Sequence, residues 1–199
     1  MNAKFFDLKQ DKQDRIINAA LKIFALNGYL HASTDEIVKE AHISKGLLFH
    51  YFDSKVGTYS FLYDYCARYL MLEFTSVVDK DETDYFEIRR QIEQAKLQTL
   101  RNYPYMQYFI NTCAIETIPE AVEAIEGKRT TFESEINRIM SAADMTFMLN
   151  NPLTEDILKM TDCTIDAIMV ESFRNDNFTA DAFYRETLHY LKLAQSLIG

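Results

Sequence analysis

Five glycines and three prolines in 199 residues leave the chain few places to break or turn. A many-stranded sheet with tight turns is therefore disfavoured, and long helices are expected. Cysteine and histidine are as sparse. Cys66, Cys113 and Cys163 stand far apart without metal-ligand spacing and the four histidines are scattered, so neither a metal nor a cofactor is expected. The thiols read as small buried side chains of a reducing compartment. There is no phosphate-cradling glycine loop, no nucleophile elbow and no Cys/His pair close in sequence. Glu186 and His189 make a single E-x-x-H, the spacing of di-iron bundles, but that fold needs a second copy, so an enzyme is not expected. Every apolar run meets a charge well short of the roughly 20 residues of a membrane span, and nothing resembles a signal peptide. A cytoplasmic protein that does not enter membranes is the expectation. With 48% hydrophobic residues there is ample material for a core.

The most informative stretch runs from Ser33 to Lys55, STDEIVKEAHISKGLLFHYFDSK. Ser33 followed three residues later by Glu36 has the spacing of a capping box, so a helix should start at Thr34, with Ile37 and Ala41 one turn apart on its apolar side. The pattern breaks at His42-Ile43, and Ser44 offers a second N-cap. His42 stands where such turns often carry Gly, and His is among the residues better tolerated in a left-handed backbone. At about 100° per residue, Leu48 and Phe52 share one side of the second helix while Gly46 and His50 lie roughly opposite, flanked by Leu47 and Phe49. Large apolar residues beside an exposed Gly and His suit a surface pressed into a DNA groove, where apolar atoms meet thymine methyls. Lys45 and Lys55 stand where they can reach phosphates on either side, and Asp53-Ser54 caps the next helix.

Two short helices, a tight turn and a small basic tip make a helix-turn-helix. RIINAALKIFALNGYLHASTDEIVKEAHISKGLLFHYFDSK resembles the N-terminal domain of the TetR family of transcriptional regulators, without a gap from Arg15 to Lys55. Ala19-Ala20, Phe24, Gly28, Ile37, Ser44-Lys45-Gly46, Tyr51-Phe52 and Lys55 fall at the family's spacing. His42 for the usual Gly, Val38 for a usual Ala and Thr58 where Leu is common are departures that remove no residue the mechanism needs. The resemblance implies an all-α homodimer. Residues 1–53 would be a three-helix DNA-binding domain and residues 54–199 a larger effector-binding and dimerisation domain. It also implies double-stranded operator DNA and a small-molecule effector as partners. The expected DNA-binding set is Ser33, Thr34, Ser44, Lys45, Gly46, Leu47, Phe49, His50, Tyr51 and Lys55.

A formal charge of −9 argues against a polyanionic partner only if it is evenly spread. Residues 1–56 hold eight basic against seven acidic side chains, or +1, and the remainder 13 against 23, or −10, which together recover −9. Two subunits acting together would be needed for useful affinity.

Helical patterning places a first helix over about Lys9 to Asn27 with Gly28 as its stop, and a fourth from Ser54 to about Val78. Further helices fall at Tyr85 to Arg101, Pro104 to Ile115 with Pro first, and Glu120 to Met148. Two more run from Thr154 to Arg174 and from Thr179 to Ile198, about nine in all. The last two carry stripes, Ile157, Thr161, Ile165, Ile168 on one and Phe183, Thr187, Tyr190, Leu191, Ala194 on the other. By sequence alone these pack on their own core; the family resemblance makes them a dimer interface. Tyr63, Tyr69, Phe86, Tyr105, Tyr108, Phe109 and Phe132 read individually as core and collectively as a pocket for an apolar or aromatic effector, with Arg101, Asn111 or Glu116 as polar handles. A helical interaction adaptor, or a small-molecule-binding protein that ignores DNA, is the alternative. It leaves Lys45, Gly46, His50 and Lys55 at DNA-reading positions unexplained.

Overall fold

The structure, a computed structural model, describes residues 3–199 apart from the side chains of Ala3 and Leu149. Among the described residues every regular element is a helix. They are α1 (Ala3–Phe6), α2 (Gln10–His31), α3 (Thr34–Glu40), α4 (Lys45–Phe52), α5 (Lys55–Val77), α6 (Tyr85–Asn102), α7 (Met106–Ala114), α8 (Pro119–Met140), a 3₁₀ turn (Thr146–Leu149), α9 (Thr154–Arg174) and α10 (Ala180–Ile198). That is one α-helix more than the expected nine, the addition being α1. Phe5 anchors it, fully buried with its ring 5.7, 5.2 and 5.1 Å from those of Tyr51, Phe52 and Phe61.

Several boundaries move for local reasons. Gly28 breaks the helical path as expected, with φ 67°, but one more turn follows through His31, closed by the Ala32 N–H on the Gly28 carbonyl. Pro104 does not open α7, which starts at Met106; Pro119 opens α8 instead. Helix α8 stops at Met140 and not near Met148. The Asp144 N–H donates to the Thr83 carbonyl and the Asp144 carboxylate accepts from the Thr146 N–H, so side chain and loop take over the bonds that a continuing helix would make.

The chain divides into two compact units. The first holds the residues up to Tyr69 and Tyr105–Phe132; the second holds Leu70–Pro104 and Glu133–Gly199. In the first, α2 packs on α3 and α7 around Ile16, Ile17, Leu21, Phe24, Leu62 and Phe109. In the second, α10 packs on both α6 and α9. Tyr85, Ile88, Ile92, Ala95 and Thr99 repeat every three or four residues on α6 and are all buried. Arg89–Asp162 at 2.5 Å ties α6 to α9, and Arg101–Asp181 at 2.6 Å ties it to α10.

Six of the residues expected at a dimer interface, Thr161, Ile165, Phe183, Thr187, Leu191 and Ala194, are buried within the single chain, and Ile157, Ile168 and Tyr190 are half-buried. Periodicity marks which face of a helix leaves water. It does not say whether the cover is the same chain or another.

Phe24 is wholly buried and Leu72 is 72% exposed. Phe24→Ala should cost about 3–5 kcal/mol in urea unfolding followed by circular dichroism, and Leu72→Ala about 0.5 kcal/mol or less. Equal losses would mean that the core of the first unit is not centred on Phe24.

Candidate nucleic-acid interface

Helices α3 and α4 form the expected helix-turn-helix, and three hydrogen bonds and one backbone angle set its geometry. The Ser33 hydroxyl accepts from the Asp35 N–H at 3.2 Å, not from Glu36, so the first cap is a short-range one rather than the expected reciprocal box. The Ser44 hydroxyl accepts from the Leu47 N–H at 3.2 Å and starts α4. Between them His42 takes the left-handed conformation, φ 51°, at the position read as the turn. Arg15 on α2 donates to the Ala41 carbonyl at 2.8 Å and holds that turn from behind.

On α4, Leu48 and Phe52 point inward while Ser44, Lys45, Gly46 and His50 are exposed and Leu47 and Phe49 half-buried. Gly46 faces open space, so the backbone of this turn is bare. Lys45 lies on the outer surface, paired with Asp35 at 2.9 Å. Ser33 and Thr34, half-buried, sit at the start of α3. Two expected members are placed differently. Tyr51 is only 8% exposed, because its ring belongs to the cluster around Phe5. Lys55 turns inward, donating to the Leu30 carbonyl at 3.1 Å with its ammonium 4.7 Å above the Tyr29 ring.

That inward lysine belongs to a junction that sequence reasoning missed. Just after the break at Gly28, the Tyr29 N–H donates to the Glu116 carboxylate at 3.0 Å and the Tyr29 hydroxyl to Glu120 at 2.5 Å. Burial, then the Glu120 carboxylate, push the Tyr29 phenol well above its usual range. Burial lowers the Lys55 ammonium despite the opposing pull of Glu120 and Glu116. Glu116 also accepts from the N–H groups of Thr117 and Ile118. Burial alone would raise its carboxyl; those bonds, the Tyr29 N–H and Lys55 together hold it below the ordinary glutamate value. Behind these polar contacts, Tyr59 packs its ring 5.2 Å from Phe24, 5.0 Å from Tyr29 and 5.4 Å from Phe109. A carboxylate three residues before the helix-opening Pro119 was the available signal for the polar part.

The junction alters the reading of the aromatic residues expected to form an effector pocket. Phe109 is solid core, fully buried in that ring cluster, and Tyr63 and Phe132 are buried as well. Tyr69, Tyr105 and Tyr108 are half-buried in the first unit. Phe86 lies in the second unit, where it lines two cavities of about 370 and 350 Å³. Of the polar handles, Arg101 is paired with Asp181, Asn111 accepts from Gln107 at 2.6 Å, and Glu116 serves the junction.

Comparison with known proteins places the same stretch in the same context. Residues 16–57 match the model of "Bacterial regulatory proteins, tetR family". The chain is 32% identical over 83 residues, 42% of its length and 28% of the other's, to the "Uncharacterized HTH-type transcriptional regulator YuxN" of Bacillus subtilis. It is 36% identical over 58 residues, 29% of its length and 31% of the other's, to the "Biofilm operon icaADBC HTH-type negative transcriptional regulator IcaR" of Staphylococcus aureus. The chain thus spans less than a third of the length of these curated relatives. Among solved structures, FadR from Bacillus subtilis in complex with stearoyl-CoA superposes with a TM-score of 0.59 at 16% identity, over 90% of this chain and 96% of that one. A TetR-like regulator from Rhodococcus sp. RHA1 gives 0.58 at 13% identity over 95% and 98%. At such identities the likeness is one of fold.

Because the Glu116 carboxyl is depressed in the folded state, its contribution to stability is present above the unfolded glutamate value of about 4.3 and is lost as pH falls through the lower folded value. Glu116→Gln should therefore be less stable than the parent at pH 7, with the difference shrinking below about pH 4.5. Thermal melts across pH 7 to 3 that run parallel for the two proteins would remove Glu116 from the account.

Proposed function

We propose, from the premise that the chain belongs to the tetR family of bacterial regulatory proteins, that it is a ligand-responsive repressor. It binds a double-stranded palindromic operator as a homodimer and releases it when a small apolar or aromatic effector binds. The family is one of transcriptional regulators and not of enzymes. The observation that carries the reading is the outer surface of α4, where Ser44, Lys45, His50 and the bare backbone of Gly46 lie together beside half-buried Leu47 and Phe49. Such a surface reads base edges and methyl groups, while Lys45 positions it on a phosphate. Residues 1–53 do the reading; residues 54–199 sense and dimerise. The site of action is the cytoplasm, and no helix among the described residues is long and apolar enough to cross a membrane.

A dimer sets two copies of α4 into successive major grooves about 34 to 36 Å apart. Only Asp53 and Ser54 lie between α4 and α5, and a Cβ added at Gly57 would lie 2.0 Å from the Phe52 carbonyl oxygen, so the two helices meet with no slack. A shift of α5 therefore carries α4 with it, which is how an effector alters the spacing of the two reading heads. The coupling is reciprocal, so operator DNA weakens effector binding by the same factor. The stearoyl-CoA in FadR offers an acyl chain, a ligand of the apolar kind expected here.

For the dimer, the exposed side of α9 and α10 is the surface of choice, since their inner stripes are already covered. Leu153, Met160, Leu193 and Leu197 stand there 58, 69, 44 and 57% exposed. The Asn151 side chain donates to the Leu197 carbonyl, which keeps the start of α9 beside the end of α10. Covering these side chains in a second copy removes apolar area from water.

Lys45→Ala should weaken binding to all DNA sequences alike and lower the slope of log K against log salt by about 0.9 for each phosphate that is no longer neutralised. Leu47→Ala and His50→Ala should instead change which sequences a genomic library yields. The same effect from both classes would sink the assignment of the reading face.

Met160→Glu combined with Leu193→Glu should convert the protein from dimer to monomer in sedimentation velocity, with its helical signal retained. An unchanged mass would move the interface elsewhere.

A further inference from the structure

Helix α1 is a single turn of four residues, too short to form by itself, because the first turn of a helix fixes several backbone angles for one hydrogen bond. Two side chains hold it in place. Phe5 is fully buried, and the Gln13 amide of α2, itself buried, donates to the Leu8 carbonyl at 2.8 Å and to the Phe6 carbonyl at 3.3 Å. A buried amide aimed at these carbonyls pins the turn to α2.

From there Phe5 reaches both sides of the junction between α4 and α5. Its ring lies 5.7 Å from Tyr51 and 5.2 Å from Phe52 on α4, and 5.1 Å from Phe61 on α5. Phe52 and Phe61 close the cluster at 4.7 Å. The Tyr51 contact is edge-to-face at 77°, and Tyr51 in turn meets the His50 ring at 5.2 Å and 65°. The end of α4 needs support of this kind. Asp53, which follows Phe52, has φ 63°, a left-handed angle that a residue with a Cβ rarely adopts and that persists where surrounding contacts hold it. Phe5 and Phe61, packed on the last two residues of α4, supply those contacts.

We infer that Phe5 is a positioning residue for base reading: it fixes the C-terminal half of α4 and, through the edge of Tyr51, the orientation of the exposed His50. Edge-to-face pairs favour particular angles, so a ring held by a fixed neighbour passes that restraint on to the next ring. The role also accounts for Tyr51, which stands in the reading helix yet is buried: it links α1 to His50 instead of meeting DNA itself. The inference rests on the proposed function of α4 as the reading helix and adds to it a residue that acts from behind.

The test is selection of bound duplexes from a randomised DNA library, sequenced for the full chain and for variants confirmed as folded by circular dichroism. His50→Ala should lose base preference at one position of each half-site. Phe5→Ala should lower the discrimination at that same position by roughly threefold or more and leave the other positions unchanged. The double variant should lose no more than His50→Ala alone, since both changes act through one side chain. Gln13→Met keeps the bulk, removes the two bonds to α1, should act in the same direction, and carries the test where Phe5→Ala does not fold. Phe24→Ala removes an equally buried ring that meets Tyr29, Tyr59 and Phe109, and should weaken the fold without changing base preference. Parental discrimination in both Phe5→Ala and Gln13→Met, additive losses in the double variant, a His50→Ala profile identical to the parent's, or the same loss in Phe24→Ala would each overturn the inference. A parent that enriches no sequence would overturn the regulator reading itself, and the inference with it.

Discussion

The hydrogen bond from the Tyr29 N–H to Glu116 depends on one backbone angle, the positive φ of Gly28, and much of the first unit depends on that bond. A side chain at Gly28 would meet no neighbour, so space is not the constraint. The constraint is conformational: φ 67° is costly for any residue with a Cβ. The turn lifts Tyr29 off the helical path and aims its N–H and its hydroxyl at two carboxylates on the α7–α8 connection and α8, while its ring becomes the floor for Lys55. The helix that leads into the reading head is thereby tied to the helices behind it by a charged, partly dry contact, where each bond counts for more than it would in water. The aromatic rings of Phe24, Tyr59 and Phe109 supply the bulk; the polar contacts supply the register.

The helix-turn-helix was legible in the sequence because its signals are local. Ser44 as a cap, His42 in the left-handed turn, Leu48 and Phe52 on one face with Gly46 and His50 on the other each follow from neighbours within one helical turn, and all appear in the structure. What was not legible required contacts between distant positions. Lys55 has the right type and place for a phosphate contact, and only the placement of Tyr29 and Leu30, some 25 residues earlier, turns it inward. The end of α8 was misread for the same reason. Residues 141–148 hold a helix-compatible composition, and it is Thr83, from another loop, that captures the Asp144 N–H. The stripes on α9 and α10 were seen correctly as buried faces, and their partner is the helix layer of their own chain.

Charge sets the second constraint on the reading head. The N-terminal 56 residues carry a surplus of one positive charge, and the inward turn of Lys55 spends that surplus on the protein itself. On the proposed function Lys45, paired with an exposed Asp35, would exchange a weak solvent-screened partner for a phosphate with little penalty, since exposed ion pairs are worth about 1 kcal/mol or less. A single head of this kind would hold DNA weakly, because nonspecific affinity scales with the number of phosphates neutralised. Two heads joined by one dimer act as a bivalent ligand whose second contact is made at high effective concentration, provided the spacing of the heads fits the groove repeat. Weak heads therefore make spacing decisive: where each head alone is insufficient, a small displacement of α5 that spoils simultaneous engagement abolishes binding, whereas a strongly basic head would stay bound through the same displacement. In the proposed regulator, the modest charge of the head is thus what would allow a small movement of the helix behind it to work as a switch.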